Sequence, residues 1–226
     1  SYIYLQGTRG DALGGNYSDD IADYVLSKIT NPVIKNFLLT EIIYRHIWEN
    51  NGLDGADHLL SVFRKECTDK SKIAYMEEVI ALWERISAGK EAPNFTVVDR
   101  NGNNVSLDDF RGSYLYITVW ATWCVPCKSE LPYLNLLQKK YRSRNIKFLT
   151  VAIDRPANVD KWKDYLNQHS FAGVHTLVDT ASDFSRDYMI ISVPRFILIA
   201  PDGKIISSNA PRPSGQIIQY LQTLGI

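Results

Sequence analysis

Two periods of hydrophobicity divide the chain. Between residues 17 and 88 apolar side chains return every three or four positions. Ile21, Val25 and Ile29 form one stripe, and Ile34, Leu38 and Ile42 a second, with Phe37 and Trp48 nearby. Leu59 and Phe63 mark a third, and Ile73, Met76, Ile80 and Trp83 a fourth. That spacing lines one face of a 3.6-residue helix and predicts three to four packed helices. Ser18 with Asp19 and Asp20 suits a helix start, while Asn31-Pro32 and Asn50-Asn51-Gly52 suit breaks. From Ala92 onward the pattern changes. Residues 114–120, 146–153 and 196–200 are near-continuous β-favouring runs, as buried central strands require. Helical segments are predicted between them, at about 124–142, 158–168 and 182–188, with a last helix over 213–224. Strand–helix alternation argues for an α/β sheet. Pro201-Asp202-Gly203-Lys204 predicts a hairpin turn into Ile205 and Ile206, and the stretch from Asp99 to Gly102 an earlier hairpin.

Residues 1–15 follow neither period. Tyr2 to Leu5 fit a strand, and Gly7, Gly10, Gly14 and Gly15 fit a loop. A lone strand cannot satisfy its backbone, so such a strand would add to another sheet or to something upstream. The expected organisation is a helical domain over 1–90, its first 15 residues extended or loop-like, followed by an α/β domain over 91–226.

Charge and composition remove several function classes. The 226 residues carry 25 basic and 25 acidic side chains, without the excess of Lys and Arg that nucleic-acid binding needs. No run approaches the roughly 18 apolar residues of a membrane span. The chain opens on Ser1 rather than Met, as a mature or trimmed chain does, so the lack of a visible leader carries little weight.

Three cysteines are too few for a disulfide framework. Two of them, Cys124 and Cys127, stand in the stretch ATWCVPCKSELP. A structural zinc site needs four ligands, usually two such pairs or a pair with two well-spaced His. The remaining candidates, Cys67, His46, His58, His169 and His175, are scattered, so no metal is expected. A purely structural disulfide closing so short a loop would remove little chain entropy. Redox exchange fits better. The pair follows a predicted strand and opens a predicted helix. Unpaired N–H groups and the dipole at a helix start favour a thiolate at Cys124, and the thiolate is the attacking species. Cys127, one turn on, can resolve the mixed disulfide that Cys124 forms. Pro126 lacks an N–H, which costs nothing in a first helical turn.

These residues resemble the thioredoxin superfamily. Trp123-Cys124-Val125-Pro126-Cys127-Lys128 is similar to its redox motif, and Pro132 falls where the family kinks its active-site helix. Val193-Pro194 ahead of 196–200 resembles the family's cis-proline before a central strand. Ala92-Pro93-Asn94-Phe95, then the stretch from Leu107 to Gly112, then Glu130-Leu131-Pro132, narrow the likeness to TlpA/ResA-like envelope thioredoxins. The resemblance covers roughly residues 92–226. It implies a thioredoxin-like fold: a central mixed sheet flanked by helices, with an extra N-terminal β-hairpin and a central insertion, here residues 159–177. The helices of residues 17–88 are no part of it.

The resemblance also implies roles. Cys124 attacks, Cys127 resolves and Pro194 helps present the substrate chain. Trp123, Val193 and Pro126 form the docking surface. Thioredoxin itself has a buried Asp six residues before the first cysteine; the residue here is Thr118. The proton acceptor for Cys127 must then come from elsewhere, and Glu130, one helical turn on, is the candidate. The expected activity is thiol:disulfide exchange that reduces disulfides of exported proteins in the periplasm or cell envelope, with no metal or organic cofactor. Expected partners are protein thiols and disulfides and an upstream electron donor, with no nucleic acid. A membrane tether outside this chain is compatible with the resemblance. Two other classes compete. A peroxiredoxin shares the fold, but its attacking cysteine follows Pro-x-x-x-Thr-x-x-Cys, and Ile117 and Ala121 hold those Pro and Thr positions. A redox-inactive binding module could use the helical domain for recognition, and permanent burial of the cysteine pair would favour it. Cys67 is expected to be a small buried hydrophobe.

Overall fold

The computed structural model describes residues 17–169 and 171–226. The strand expected at Tyr2–Leu5, with the loop after it, lies outside the described residues. By its contacts the chain divides into two compact units, one running to Ala81 and one from Leu82 to Ile226. The change of period alone puts the boundary at 90/91.

The first unit holds α1 (Tyr17–Lys28), α2 (Pro32–Asn50), α3 (Asp57–Glu66) and most of α4 (Lys70–Glu84). Asn31 caps α2, its Oδ1 accepting the N–H groups of Val33 and Ile34, and Pro32 takes the first turn, where a missing donor does no harm. The stripes on α3 and α4 are buried: Leu59, Phe63, Met76 and Ile80 in this unit, and Trp83 past the boundary, in the second. On α2 only Ile42 of the expected stripe is buried. Leu39, Ile43 and Ile47 point inward with Asn36, Thr40 and His46, while Ile34 is half exposed. The reason is polar. Asn36 exchanges two hydrogen bonds with Thr68, and the two ring nitrogens of His46 meet Ser18 Oγ and the Asp54 carbonyl. With such partners, polar side chains can occupy interior positions that an apolar stripe alone does not reveal. Cys67 is buried and free, as expected.

The second unit is built on seven strands in the order β2-β1-β5-β4-β3-β6-β7. They are β1 (Thr96–Asp99), β2 (Asn104–Ser106), β3 (Tyr114–Trp120), β4 (Ile146–Ile153), β5 (Val174–Val178), β6 (Arg195–Ile199) and β7 (Ile205–Ser207). β3, β4 and β5 run parallel; β6 is antiparallel to β3, β7 to β6, and the β1–β2 hairpin adds antiparallel to β5. The helices are α5 (Val125–Lys140), α6 (Val159–His169), α7 (Asp183–Asp187) and α8 (Ile217–Thr223). One face of the central strands, Tyr116, Trp120, Phe148, Ala152, Phe196 and Leu198, packs in a core with Leu131 and Leu134 of α5, Trp162 and Leu166 of α6, and Ile217 and Leu221 of α8. Leu115, Ile117, Val119, Leu149, Val151 and Ile197, which alternate with them, are buried as well. Both faces are covered, which is why these strands read as unbroken apolar runs.

Strand β5 was not legible. Its centre, His175-Thr176, breaks the apolar pattern, yet both residues are buried. Thr150 Oγ1 lies 2.7 Å from His175 Nδ1, and Thr176 Oγ1 donates to the Thr150 carbonyl. Burial pushes the His175 pKa down, which favours the neutral ring. The stretch 159–177 thus supplies a crossover helix and most of a strand. At the far side of the sheet the outer edge of β7 is already occupied. Ile205 exchanges backbone hydrogen bonds with Gly89 and Lys90, and Ala92 N–H donates to the Gly203 carbonyl.

Candidate active site

The cysteine pair lies where β3 passes into α5, at the C-terminal edge of the parallel strands, the usual place for sites in such sheets. Cys124 is the N-cap residue of α5, with extended backbone angles. The backbone N–H of Cys127 points at its sulfur, 3.2 Å away. A helix start thus supplies a donor to that sulfur. The two cysteines are joined by a disulfide, with Cα atoms 5.3 Å apart. Pro126 occupies the first turn, and Pro132 lies inside the helix.

β6 brings the second element of the site. Its register sets Val119 opposite Arg195, so the preceding Val193-Pro194 comes to the end of β3. The Val193–Pro194 bond is cis. The Val193 carbonyl lies 3.8 Å from the Cys124 sulfur. Cys124 and Cys127 are only 3% and 1% exposed, but the surface around them is open and apolar. Trp123 and Val125 are 65% and 73% exposed. A groove of about 180 Å³ runs beside the pair, lined by Trp123, Ile153, Ile190, Ile191 and Val193. Trp123 and Val193 line this groove together, and Pro126 is exposed in the first turn of α5. Trp120 is core, fully buried. Lys128 sits over the Tyr165 ring, 5.1 Å from its centre.

Glu130 is buried, and its carboxylate is engaged elsewhere than by sulfur. Ser214 donates to it twice, through its backbone N–H at 3.0 Å and its hydroxyl at 2.8 Å. Arg212 Nη1 stands 3.6 Å away. Next to this loop the buried Tyr116 hydroxyl donates to the Pro211 carbonyl, and burial first, then the Glu130 charge, raises the phenol well above its ordinary range. The 211–214 loop holding Glu130 takes the residues expected to start α8, which begins only at Ile217.

Two residues of this region were not singled out by the sequence. Asp154, directly after β4, is 1% exposed and reaches beneath the turn before Cys124. Arg195, after the cis-proline, is fully buried. Its Nε donates to the Ser208 carbonyl and its Nη1 to the Met189 carbonyl, and the guanidinium lies over the Trp83 ring, 5.3 Å from its centre. Position at a strand's C-terminal end was the available signal for Asp154. For Arg195, a cation inside an apolar strand was the signal. Among the described residues no group of three or more His, Cys, Asp or Glu side chains could hold a metal ion, and no helix is long and apolar enough to cross a membrane.

Comparison with known proteins agrees with this fold. Residues 88–208 match the AhpC/TSA family. The thiol-disulfide oxidoreductase ResA of Bacillus thuringiensis is 32% identical over 142 residues, 62% of this chain and 80% of that protein. The ResA of Bacillus subtilis is 34% identical over 133 residues, 57% and 70% of the two chains. The crystal structure of the thioredoxin domain of a Bacteroides vulgatus thiol-disulfide oxidoreductase superposes with a TM-score of 0.54 at 28% identity, covering 61% of this chain and 97% of that one.

Proposed function

From the premise that the chain belongs to the AhpC/TSA family and is a thiol:disulfide oxidoreductase of thioredoxin-like fold, we propose that it works as a reductant of disulfides in exported proteins. The carrying observation is the placement of Cys124: N-cap of α5, with the Cys127 N–H on its sulfur and the cis Val193–Pro194 beside it. In the reduced enzyme the Cys124 thiolate attacks one sulfur of a substrate disulfide. A mixed disulfide forms and the other substrate sulfur leaves as a thiolate. Cys127 then gives up its proton and attacks the Cys124 sulfur. The second substrate sulfur is released and takes up a proton to become a thiol; the substrate has gained two electrons, and the enzyme, two electrons poorer, holds the Cys124–Cys127 disulfide. An upstream thiol donor restores the dithiol. Electrons travel on these two sulfurs, so the cycle needs no metal or organic cofactor. Trp123, Pro126 and Val193 offer an apolar seat for the chain around the substrate cystine, next to Pro194. The peroxiredoxin pattern is missing, and the relatives' names do not favour a redox-inactive module despite the small exposure of the sulfurs.

The direction is set by the potential. Thioredoxin stands near −270 mV and DsbA near −120 mV. Equilibration with glutathione buffers should place this pair below about −220 mV, on the thioredoxin side. A value above about −180 mV would overturn the reducing assignment and leave an oxidant or isomerase.

Glu130 is proposed to share the proton chemistry of Cys127. It lies one helical turn beyond Cys127, and a negative charge there resists thiolate formation. Ser214 and Arg212 hold that carboxylate in place, and Arg212 offsets part of its charge. Glu130→Gln removes the charge, so thiolate should form at lower pH. The alkylation profile of the reduced enzyme should move to lower pH. Superimposable profiles for wild type and variant would leave Glu130 as a tether for the 211–214 loop alone.

A further inference from the structure

We propose that Asp154 is a positioning residue of the exchange reaction: its buried carboxylate latches the turn that presents Cys124. The inference rests on the exchange activity assigned above. The strand register creates the juxtaposition. β3 and β4 are parallel, with Trp120 opposite Ala152. Two residues further along each chain, Thr122 meets Asp154. Thr122 N–H donates to Asp154 Oδ2 at 2.8 Å, and Asn158 Nδ2 donates to Asp154 Oδ1 at 2.7 Å. The Asp154 backbone is itself fixed, its N–H bonded to the Val178 carbonyl of β5. Asn158 ends a short 3-10 turn started by Pro156, which returns the side chain to the residue four places earlier.

The latch acts on a short and otherwise lightly held segment. Between the last residue of β3 and the N-cap of α5 stand only Ala121, Thr122 and Trp123. The Cys124 N–H closes on the Ala121 carbonyl, forming the turn. Thr122 sits in its middle, and its N–H would face a buried site with no strand partner. A carboxylate that is 1% exposed and takes this donor on one oxygen and Asn158 on the other is a fitted anchor. It fixes the height of Cys124 relative to the Val193 carbonyl and Pro194, where the substrate sulfur must arrive in line.

The role is geometric, so the acceptor should matter more than the charge. Asp154→Ala removes both. Asp154→Asn keeps an oxygen for Thr122 N–H, and Asn158 can turn its amide to present oxygen to the new NH₂. In disulfide reduction assays, Asp154→Ala should lower kcat/KM by about 10- to 100-fold, the usual cost of a misplaced reacting group. Asp154→Asn should recover to within about threefold of wild type. In the wild-type protein the Thr122 amide should exchange with solvent at least about 100-fold more slowly than unprotected amides do, because a buried bond must open first. Amide exchange needs no variant, so the inference stays testable if Asp154→Ala does not fold. Three results would overturn it: a Thr122 amide that exchanges freely, an Asp154→Ala enzyme with wild-type kcat/KM, or an Asp154→Asn enzyme as impaired as a folded Asp154→Ala, which would make the charge and not the latch responsible. An inactive wild type would instead strike the exchange reading itself.

Discussion

Replacing Cys124 by Ser is expected to abolish disulfide exchange, with at least a thousandfold loss of rate. A serine hydroxyl at this position has no counterpart of the thiolate, which is the species that attacks. Replacing Cys127 by Ser should do something different. Attack by Cys124 survives, because its helix-start environment and the neighbouring Val193–Pro194 are unchanged. Resolution fails, so substrate stays attached to Cys124 as a mixed disulfide. Non-reducing electrophoresis with a disulfide-bonded test protein should show a trapped adduct for Cys127→Ser, a reducible one, and none for Cys124→Ser. Both variants lose the disulfide that joins the two residues in the oxidised form. Its loop is short, so little stability should go with it. Equal, untrapped loss in two folded variants would remove the division of roles.

Arg195 should show the largest effect on stability. Its guanidinium is fully buried, holds the carbonyls of Ser208 and Met189, and lies over Trp83. Arg195→Met keeps much of the volume but strands two carbonyls inside the fold. Each buried polar group left without a partner costs about 1–3 kcal/mol. The expected loss is about 2–6 kcal/mol in urea unfolding of the oxidised protein. Arg195→Lys should recover little, because one ammonium cannot reach both carbonyls and lie flat on an indole ring. A double-mutant cycle with Trp83→Leu should give a coupling of about 0.5–2 kcal/mol. A stable Arg195→Met protein would mean that the loop at Met189 finds other donors.

Where the sequence sufficed, one physical rule acted alone. The runs 114–120, 146–153 and 196–200 became β3, β4 and β6 because both faces of each are buried. Cys124 and Cys127 stood out by residue type and spacing, and the cis Val193–Pro194 bond was legible only through the resemblance to the thioredoxin superfamily. Where reading failed, polar groups had partners far away in sequence. His175 and Thr150 hid β5, being 25 residues apart yet 2.7 Å from each other. Asn36 and His46 rotated the buried face of α2 through partners at Thr68, Ser18 and Asp54. Ser214, 84 residues from Glu130, shortened α8 at its start. Asp154 and Thr122 are 32 residues apart, and only the parallel register of β3 and β4 makes them neighbours.

The borders of the sheet carry a consequence for the company this protein keeps. Under the function proposed above, the protein meets chains whose strands have lost or not yet found their partners. A long bare edge would offer them a template for aggregation. One border here is β2, only three residues long, and the other, β7, is equally short and already zipped to residues 89–92 as the chain enters the unit. Such a sheet gives a sticky, half-folded client almost no ladder to extend. Contact is left to side chains around the sulfurs, where it ends when the thiols are released.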